Sequence, residues 1–481
     1  MIAVSVVLTM LAGALAGEPV AARAKKPNVI FISIDTLAAD HTSLHGYFRD
    51  TTPFLKKLAS ENVMFENCIS QAAYTLASHT SMFTGLYVDT HQVVWQHGEK
   101  VLGPEHKTLA ERLKAAGYRT VWMATTTSPM LSLSRGLGRG FETVHDTWLE
   151  MGDGLKKVKT LLKTLPGEKP FFLFLHTYML HDPYHPVAPY DRVFDPGFRR
   201  HIELAPDKLE NLRIPRNLEE ATVSRDARIR NNFMGQFNLK YKPDHDHFVA
   251  LYDGGIRTAD DAMKEIFATF RKIGVYNDSL IVVTSDHGET FGDYGYYFHY
   301  TPTHQETHVP LIMRIPGAKP ARVSQMALGI DLLPTILDVL GIDPGAGPKL
   351  EGRSLLPALQ GKTIPRDEYV FSHGLDHMDA VWDSQWKLVH GHPEIQDIRL
   401  YDVKADALER HDLSARNPGV VAKLKSVLDA RACTTTPGTR RPSSKSSRAR
   451  TSCSKTASRR RPIRWRRTTR CSPASTSTRT K

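Results

Sequence analysis

Cysteine is scarce: the 481-residue chain has four, and three of them (Cys433, Cys453, Cys471) fall in residues 432–481. Cys68 alone in the body cannot build an intramolecular disulfide framework, so a hydrophobic core must hold the fold. Long apolar runs are scarcer still. Residues 2–16 form the one stretch near membrane length, which excludes a polytopic membrane protein. Acidic residues vanish after Asp429: residues 432–481 carry 15 Lys or Arg and no Asp or Glu. The formal net charge of +12 therefore becomes −3 once those fifteen cations are set aside, and the basic character belongs to the tail. A hydrophobic content of 41% excludes a wholly disordered chain.

Each end carries an expectation. Residues 2–16 close on Ala14-Leu15-Ala16, the apolar core and small-residue cleavage pattern of a secretory signal, which places a signal peptide over 1–24. Export to a periplasm or the extracellular space follows from it. The run has no Lys or Arg before it, and a short buried or anchoring helix is the competing reading. Residues 432–481 read Ser/Thr/Arg/Pro without hydrophobic period and are expected to be a disordered basic tail. A polyanion-binding arm, a solvated linker and a shifted reading frame all account for it. The abrupt loss of acidic residues favours the shifted frame, and nucleic acid enters as a partner only if the tail is genuine.

Between the ends, short apolar runs alternate with helical patterns. Val29–Ile34, Thr120–Met123, Phe171–Leu175 and Leu280–Thr284 fit strands buried on both faces of a mainly parallel sheet. Thr108–Ala116, 251–273 and 331–340 have helical spacing. The alternation predicts an α/β sandwich with helices on both faces over residues 26–362. From about 363 to 431 the texture turns to short aromatic, β-prone pieces (Tyr369–Phe371, Ala380–Leu388, Leu400–Val403). They predict a small C-terminal subdomain with an antiparallel sheet. Residues 192–246 are charged and irregular and read as an insertion or lid.

Polar side chains follow the strands. Asp35 follows the first, His176 the third, and Asp286-His287 the fourth. Open α/β sheets bind ligands outside the carboxyl ends of their strands, so these positions converge on one crevice. Asp35, Asp286 and His287 are oxygen and nitrogen donors suited to a divalent cation such as Mg, Mn, Ca or Zn, with caps and salt bridges as the structural alternative. Thr75 stands just before a short helix. It is either an N-cap or a nucleophile beside a helix terminus that faces an anionic substrate.

Several ordered motifs then resemble the sulfatase family of the alkaline phosphatase superfamily: PNVIFISIDTLAADHTSLHGY from Pro27, TTPFLKKLA, YTLASHTSMFTGLY, SDHGETFGDYG and HVPLIMRIP. The resemblance runs from about 26 to 431 and implies an alkaline-phosphatase-like sandwich. By it Asp35 matches the family's first metal-binding Asp, while Thr36 replaces the second. Asp286 and His287 match the later metal pair. Thr75, Ala77 and His79 fall where the Cys/Ser-x-Pro-x-Arg signature has its modifiable residue, its Pro and its Arg. Thr125 and Thr127 take the place of a Lys-x-His pair, His181 matches a His at the scissile ester, and His299 a Lys or His.

Those departures carry chemistry. Formylglycine forms from Cys or Ser only, so Thr75 cannot become it. A Thr hydroxyl activated by one divalent ion (Ca, Mg, Mn or Zn) on Asp35, Thr75, Asp286 and His287 can instead attack phosphorus. The resemblance is to the Thr-nucleophile branch, with phosphonate monoester hydrolases and phosphodiesterases, and it favours phosphodiester or phosphonate monoester chemistry over sulfate. His79, Thr125, Thr127 and His299 are then expected to stabilise transferred charge, and His181 to protonate the leaving group. His176 and His185 are read as supporting or structural, and Asp40 and His41 as braces of the first loop. The substrate class is a small-molecule, glycan or lipid ester. The alternatives are transfer of a phospho-alcohol group and a degenerate binding protein on the same fold.

Overall fold

The computed structural model describes residues 26–94, 100–199, 242–291, 297–345, 348–375, 378–391 and 398–435. The expected signal peptide (1–24), most of the 192–246 insertion and the tail beyond 435 lie outside the described residues.

The main sheet is built from β1 (Asn28–Ile34), β2 (Val63–Ile69), β3 (Arg119–Ala124), β4 (Thr143–Asp146), β5 (Phe171–Thr177) and β6 (Ser279–Thr284). After a short hairpin, β7 (Thr290–Phe291) and β8 (Tyr297–Phe298), come β9 (His308–Arg314), β10 (Ala321–Val323) and β11 (Ala327–Leu328). The spatial order is β10-β2-β9-β6-β1-β5-β3-β4, with β11 also paired to β2. β1 lies parallel between β5 and β6, with Val29 opposite both Phe172 and Leu280. β9 runs antiparallel to both β2 and β6, so the sheet is mainly parallel with one reversed strand.

Both faces of β1 are buried, which is why its sequence lacks a polar alternation. Ile30, Ile32 and Ile34 point into one core with Ile256, Met263 and Phe267 of the helix Lys242–Lys272. Val29 and Phe31 point into the other, where Phe174 meets Phe83 at 5.0 Å and Trp122 at 4.7 Å between ring centroids. Burial at about 25 cal/mol per Å² makes these two layers the main stabilising term. β2 escaped the sequence reading because Glu66 and Asn67 interrupt its apolar run. Its register with β9 shifts between Phe65 and Cys68, so the polar pair sits at an irregularity of the ladder.

The C-terminal sheet is antiparallel as expected: β12 (Val370–His373), β13 (Asp379–Trp382), β14 (Trp386–His390) and β15 (Ile398–Asp402). The piece read as continuous over Ala380–Leu388 is instead a hairpin. Asp383 Oδ1 accepts from the backbone of Gln385 and Trp386, both at 2.9 Å, and turns the chain. One face of this sheet packs Val381, Leu388 and Leu400 against Leu424 of the helix Pro418–Thr435. The other packs Ala380, Trp382 and Tyr401 against Ile69, Tyr87 and Ile330 of the main body. The closing helix runs to Thr435, six residues past Asp429, the last acidic residue.

Candidate active site

Three adjacent parallel strands, β6, β1 and β5, deliver the chemistry. Asp35 is the first residue past β1, and Asp286 and His287 stand two and three past β6. His176 differs from expectation: it lies inside β5, opposite Ser33 of β1, rather than beyond the strand. Their common strand direction brings all four side chains to one buried end of the sheet.

Thr75 opens the helix Thr75–Thr84, whose N-cap is Tyr74. The N-cap role weighed for Thr75 therefore does not hold. Its hydroxyl turns away from the helix and reaches Asp35 Oδ1 at 3.3 Å and His287 Nε2 at 3.3 Å. His287 Nδ1 donates to the carbonyl of Gly288 at 3.0 Å, which leaves the lone pair on Nε2 facing Thr75 and both carboxylates. His287 Nε2 stands 3.7 Å from Asp35 Oδ1 and 3.5 Å from Asp286 Oδ2. Burial lowers its pKa to about 4, so at neutral pH it is an uncharged donor. Burial and the neighbouring charge of Asp286 push the Asp35 carboxyl well above its ordinary range.

These residues fit a divalent cation. Asp35 Oδ2 and Asp286 Oδ2 are buried without a hydrogen-bond partner, an arrangement that costs free energy unless a cation satisfies it. Asp35, Asp286 and His287 place one donor atom each within 4.8 Å of one another. The turn that follows Asp35 is strained. Thr36 takes φ 54°, a left-handed conformation rare for a β-branched residue, and its hydroxyl is buried without a partner. Tyr252 clamps it by donating to the Thr36 carbonyl at 2.5 Å and accepting from Ala38 N at 3.1 Å.

Above the donors opens a cavity of about 480 Å³ lined by Thr75, His181 and His299, with Tyr74, Trp148 and Tyr178 among its walls. His181 Nδ1 donates to the carbonyl of Asp182 at 2.8 Å and stands 3.2 Å from its carboxylate. Burial opposes its protonation, but Asp182 outweighs burial and raises its pKa. His299 lies 5.0 Å from His181 and 4.5 Å from His287 between ring centroids, and burial lowers its pKa to about 3.

The remaining expected site residues are placed otherwise. His79 Nδ1 donates to the Thr75 carbonyl at 2.9 Å, and its Nε2 meets Ser33 Oγ at 3.0 Å. Both nitrogens are committed within the fold, and the ring braces the helix rather than lining the cavity. Thr125 and Thr127 bond to each other at 2.9 Å and are likewise absent from the cavity wall. The next residue along, Ser128, lines it and accepts from the Tyr178 hydroxyl at 3.1 Å. His185 lines the cavity, while His41 pairs with Asp253 at 2.7 Å and braces the first loop.

Sequence reasoning missed Glu289, which is fully buried, accepts from Tyr184 at 3.0 Å and holds His299 Nδ1 at 3.0 Å. Its position two residues past His287 was the available signal. Trp148, stacked on Tyr178 at 5.4 Å, gave none because it stands outside any periodic run.

A family profile described as Sulfatase matches residues 27–342, and one described as N-sulphoglucosamine sulphohydrolase, C-terminal, matches 292–432. The chain belongs to the sulfatase family. It is 22% identical to the N-acetylglucosamine-6-O-sulfatase of Bacteroides thetaiotaomicron, covering 84% of this chain and 86% of that protein. It is 26% identical to the multifunctional alkaline phosphatase superfamily protein PehA of Trinickia caryophylli, covering 74% and 82%. Among solved structures, the phosphonate monoester hydrolase SpPMH from Silicibacter pomeroyi superposes with a TM-score of 0.65 at 24% identity, covering 85% of this chain and 96% of that one. This sulfatase-family chain is accordingly a hydrolase with the alkaline-phosphatase-like sandwich. No helix among the described residues is long and apolar enough to cross a membrane.

Proposed function

We propose that this sulfatase-family hydrolase is metal-dependent, uses Thr75 as its nucleophile, and prefers phosphodiesters or phosphonate monoesters to sulfate esters. The observation that carries the reading is the Thr75 hydroxyl, 3.3 Å from both Asp35 and His287 and on the wall of the cavity. Asp35, Thr75, Asp286 and His287 would hold a divalent cation, whose charge lowers the pKa of a bound hydroxyl and polarises an ester oxygen.

With its proton released to solvent water, Thr75 Oγ attacks phosphorus, the P–O bond to the leaving group breaks, and a phosphothreonine ester remains for water to cleave. The helix that Thr75 opens turns its positive end toward the transferred anion. His181, whose pKa Asp182 helps to raise against burial, donates its proton to the departing alkoxide. His299 stands beside the same group, oriented by Glu289. His79 fixes the backbone carbonyl of Thr75 and so the direction of its hydroxyl. Thr125 and Thr127 shape the loop that carries Ser128. A threonine ether cannot release sulfate by the hemiacetal breakdown open to formylglycine, which is why phosphorus is favoured. Two relatives with phosphorus chemistry or broad activity in their names, the phosphonate monoester hydrolase and PehA, agree with that choice. The leader over 1–24 and export are part of the same reading.

The test is a paired assay of metal-loaded wild type and Thr75→Ala on aryl sulfate, phosphate monoester, phosphodiester and phosphonate monoester. Thr75-dependent turnover of the last two, with little on sulfate, is expected. Thr75-dependent sulfate turnover would overturn the preference, and full activity of Thr75→Ala would overturn the nucleophile.

A further inference from the structure

His176 occupies a position that packing does not explain. Its side chain is fully buried, and neither ring nitrogen has a hydrogen-bond partner. The ring meets His79 edge-on at 5.1 Å and Tyr178 at 4.6 Å between centroids. A phenyl ring would fill that space without two polar atoms to desolvate. His176 Nε2 instead stands 3.9 Å from Asp35 Oδ1, and His176 and Asp286 belong to one group of donor atoms mutually within 4.8 Å. The third member of that group, His79, is spent: its Nδ1 proton goes to the Thr75 carbonyl and its Nε2 faces Ser33. Asp35 Oδ2, Asp286 Oδ2 and both nitrogens of His176 are thus left unsatisfied on the neighbouring strands β1, β6 and β5 or just past them.

We infer that His176 is a further ligand of the cation, giving the site two imidazole nitrogens, from His176 and His287, beside its oxygen donors. The inference rests on the metal-dependent reading above and goes beyond its four-residue ligand set. It also bears on the identity of the ion. Calcium and magnesium are hard cations that take oxygen ligands, whereas imidazole suits zinc, copper, iron and nickel. A site with two histidines selects a transition metal over calcium.

The experiment uses purified full-length wild type, His176→Phe, His176→Gln and Asp286→Asn, stripped with chelator and titrated separately with zinc and calcium. Folding of each is checked by circular dichroism and thermal denaturation. Wild type is expected to bind one zinc per chain far more tightly than calcium. Each His176 variant should lose roughly 100-fold or more in zinc affinity, at or above the 10–100-fold typical of outer-shell partners, with calcium binding unmoved. Copper-loaded protein gives a second readout: pulsed electron paramagnetic resonance should count two coordinated imidazoles in wild type and one in His176→Phe. One imidazole in wild type, or unchanged zinc affinity in both folded His176 variants while Asp286→Asn loses the metal, would overturn the inference and leave the metal reading standing. Wild type that binds no divalent ion would overturn both.

Discussion

Lys387 and Glu409 form a buried ion pair whose loss has a calculable cost. Lys387 Nζ lies 2.6 Å from Glu409 Oε1, with the two side chains 3% and 1% exposed. Glu409 Oε2 also accepts from the backbone of His304 at 3.0 Å, so the pair ties β14 of the small sheet to the segment leading into β9. Lys387→Met strips Glu409 of this cation and also removes the ammonium that stands 4.9 Å over the Trp382 ring. Removing one partner of a buried pair costs about 3–5 kcal/mol, because the other charge stays desolvated. An unfolding entropy of about 2.1 cal/mol/K per residue, over the roughly 350 described residues, converts that to a Tm lower by about 4–7 °C.

The deficit should depend on pH. Burial raises the Glu409 pKa in the folded state even with Lys387 present, and removing Lys387 raises it further. A carboxyl whose folded pKa is raised contributes fully below its unfolded value and loses that contribution as pH rises through the folded value. Calorimetric scans should therefore show a smaller gap between Lys387→Met and wild type at pH 5 than at pH 8. The double variant Lys387→Met/Glu409→Gln should recover much of the loss. A single variant within 1 °C of wild type at pH 8 (about 0.7 kcal/mol on the same conversion), or a double variant worse than the single, would refute the reasoning.

Five further outcomes are expected. Thr75→Ala should lower kcat by roughly 10⁴-fold or more while leaving thermal unfolding within a degree or so, read by the paired ester assay and calorimetry. His181→Ala should cost about 10²–10⁴-fold with alkoxide leaving groups and far less with nitrophenolate, and it should remove the alkaline limb of the rate profile, since Asp182 raises the pKa of the acid. Phe174→Ala should cost about 3–5 kcal/mol in denaturant titrations, because the ring is fully buried among Phe31, Phe83 and Trp122. Truncation after Thr435 should leave activity and Tm unchanged. Arg431→Ala should lower Tm, since Arg431 lies over the rings of both Tyr87 and Phe371 and pairs with Asp89 and Glu351.

The sequence by itself determined the layers and the polar residues just past the strands. A strand buried on both faces leaves a continuous apolar run, and a polar residue just past it must stand at the sheet's end, so Asp35, Asp286 and His287 were legible without a neighbour in view. Thr75 was legible as one of two things, and only the fold chose, by turning its hydroxyl to Asp35 and His287 and giving the cap to Tyr74. The reversal of β9 was hidden because an apolar run carries no direction. The roles of His79, Thr125 and Thr127 were hidden because spacing fixes where a residue sits along the chain and leaves its hydrogen-bond partner open. His79 spends its nitrogens on Thr75 and Ser33, forty-six residues away. The bond of Glu289 to His299, the place of Trp148 on the cavity wall and the unsatisfied ring of His176 became visible only in the folded chain. A donor without a partner is a property of three-dimensional surroundings, and no one-dimensional pattern encodes it.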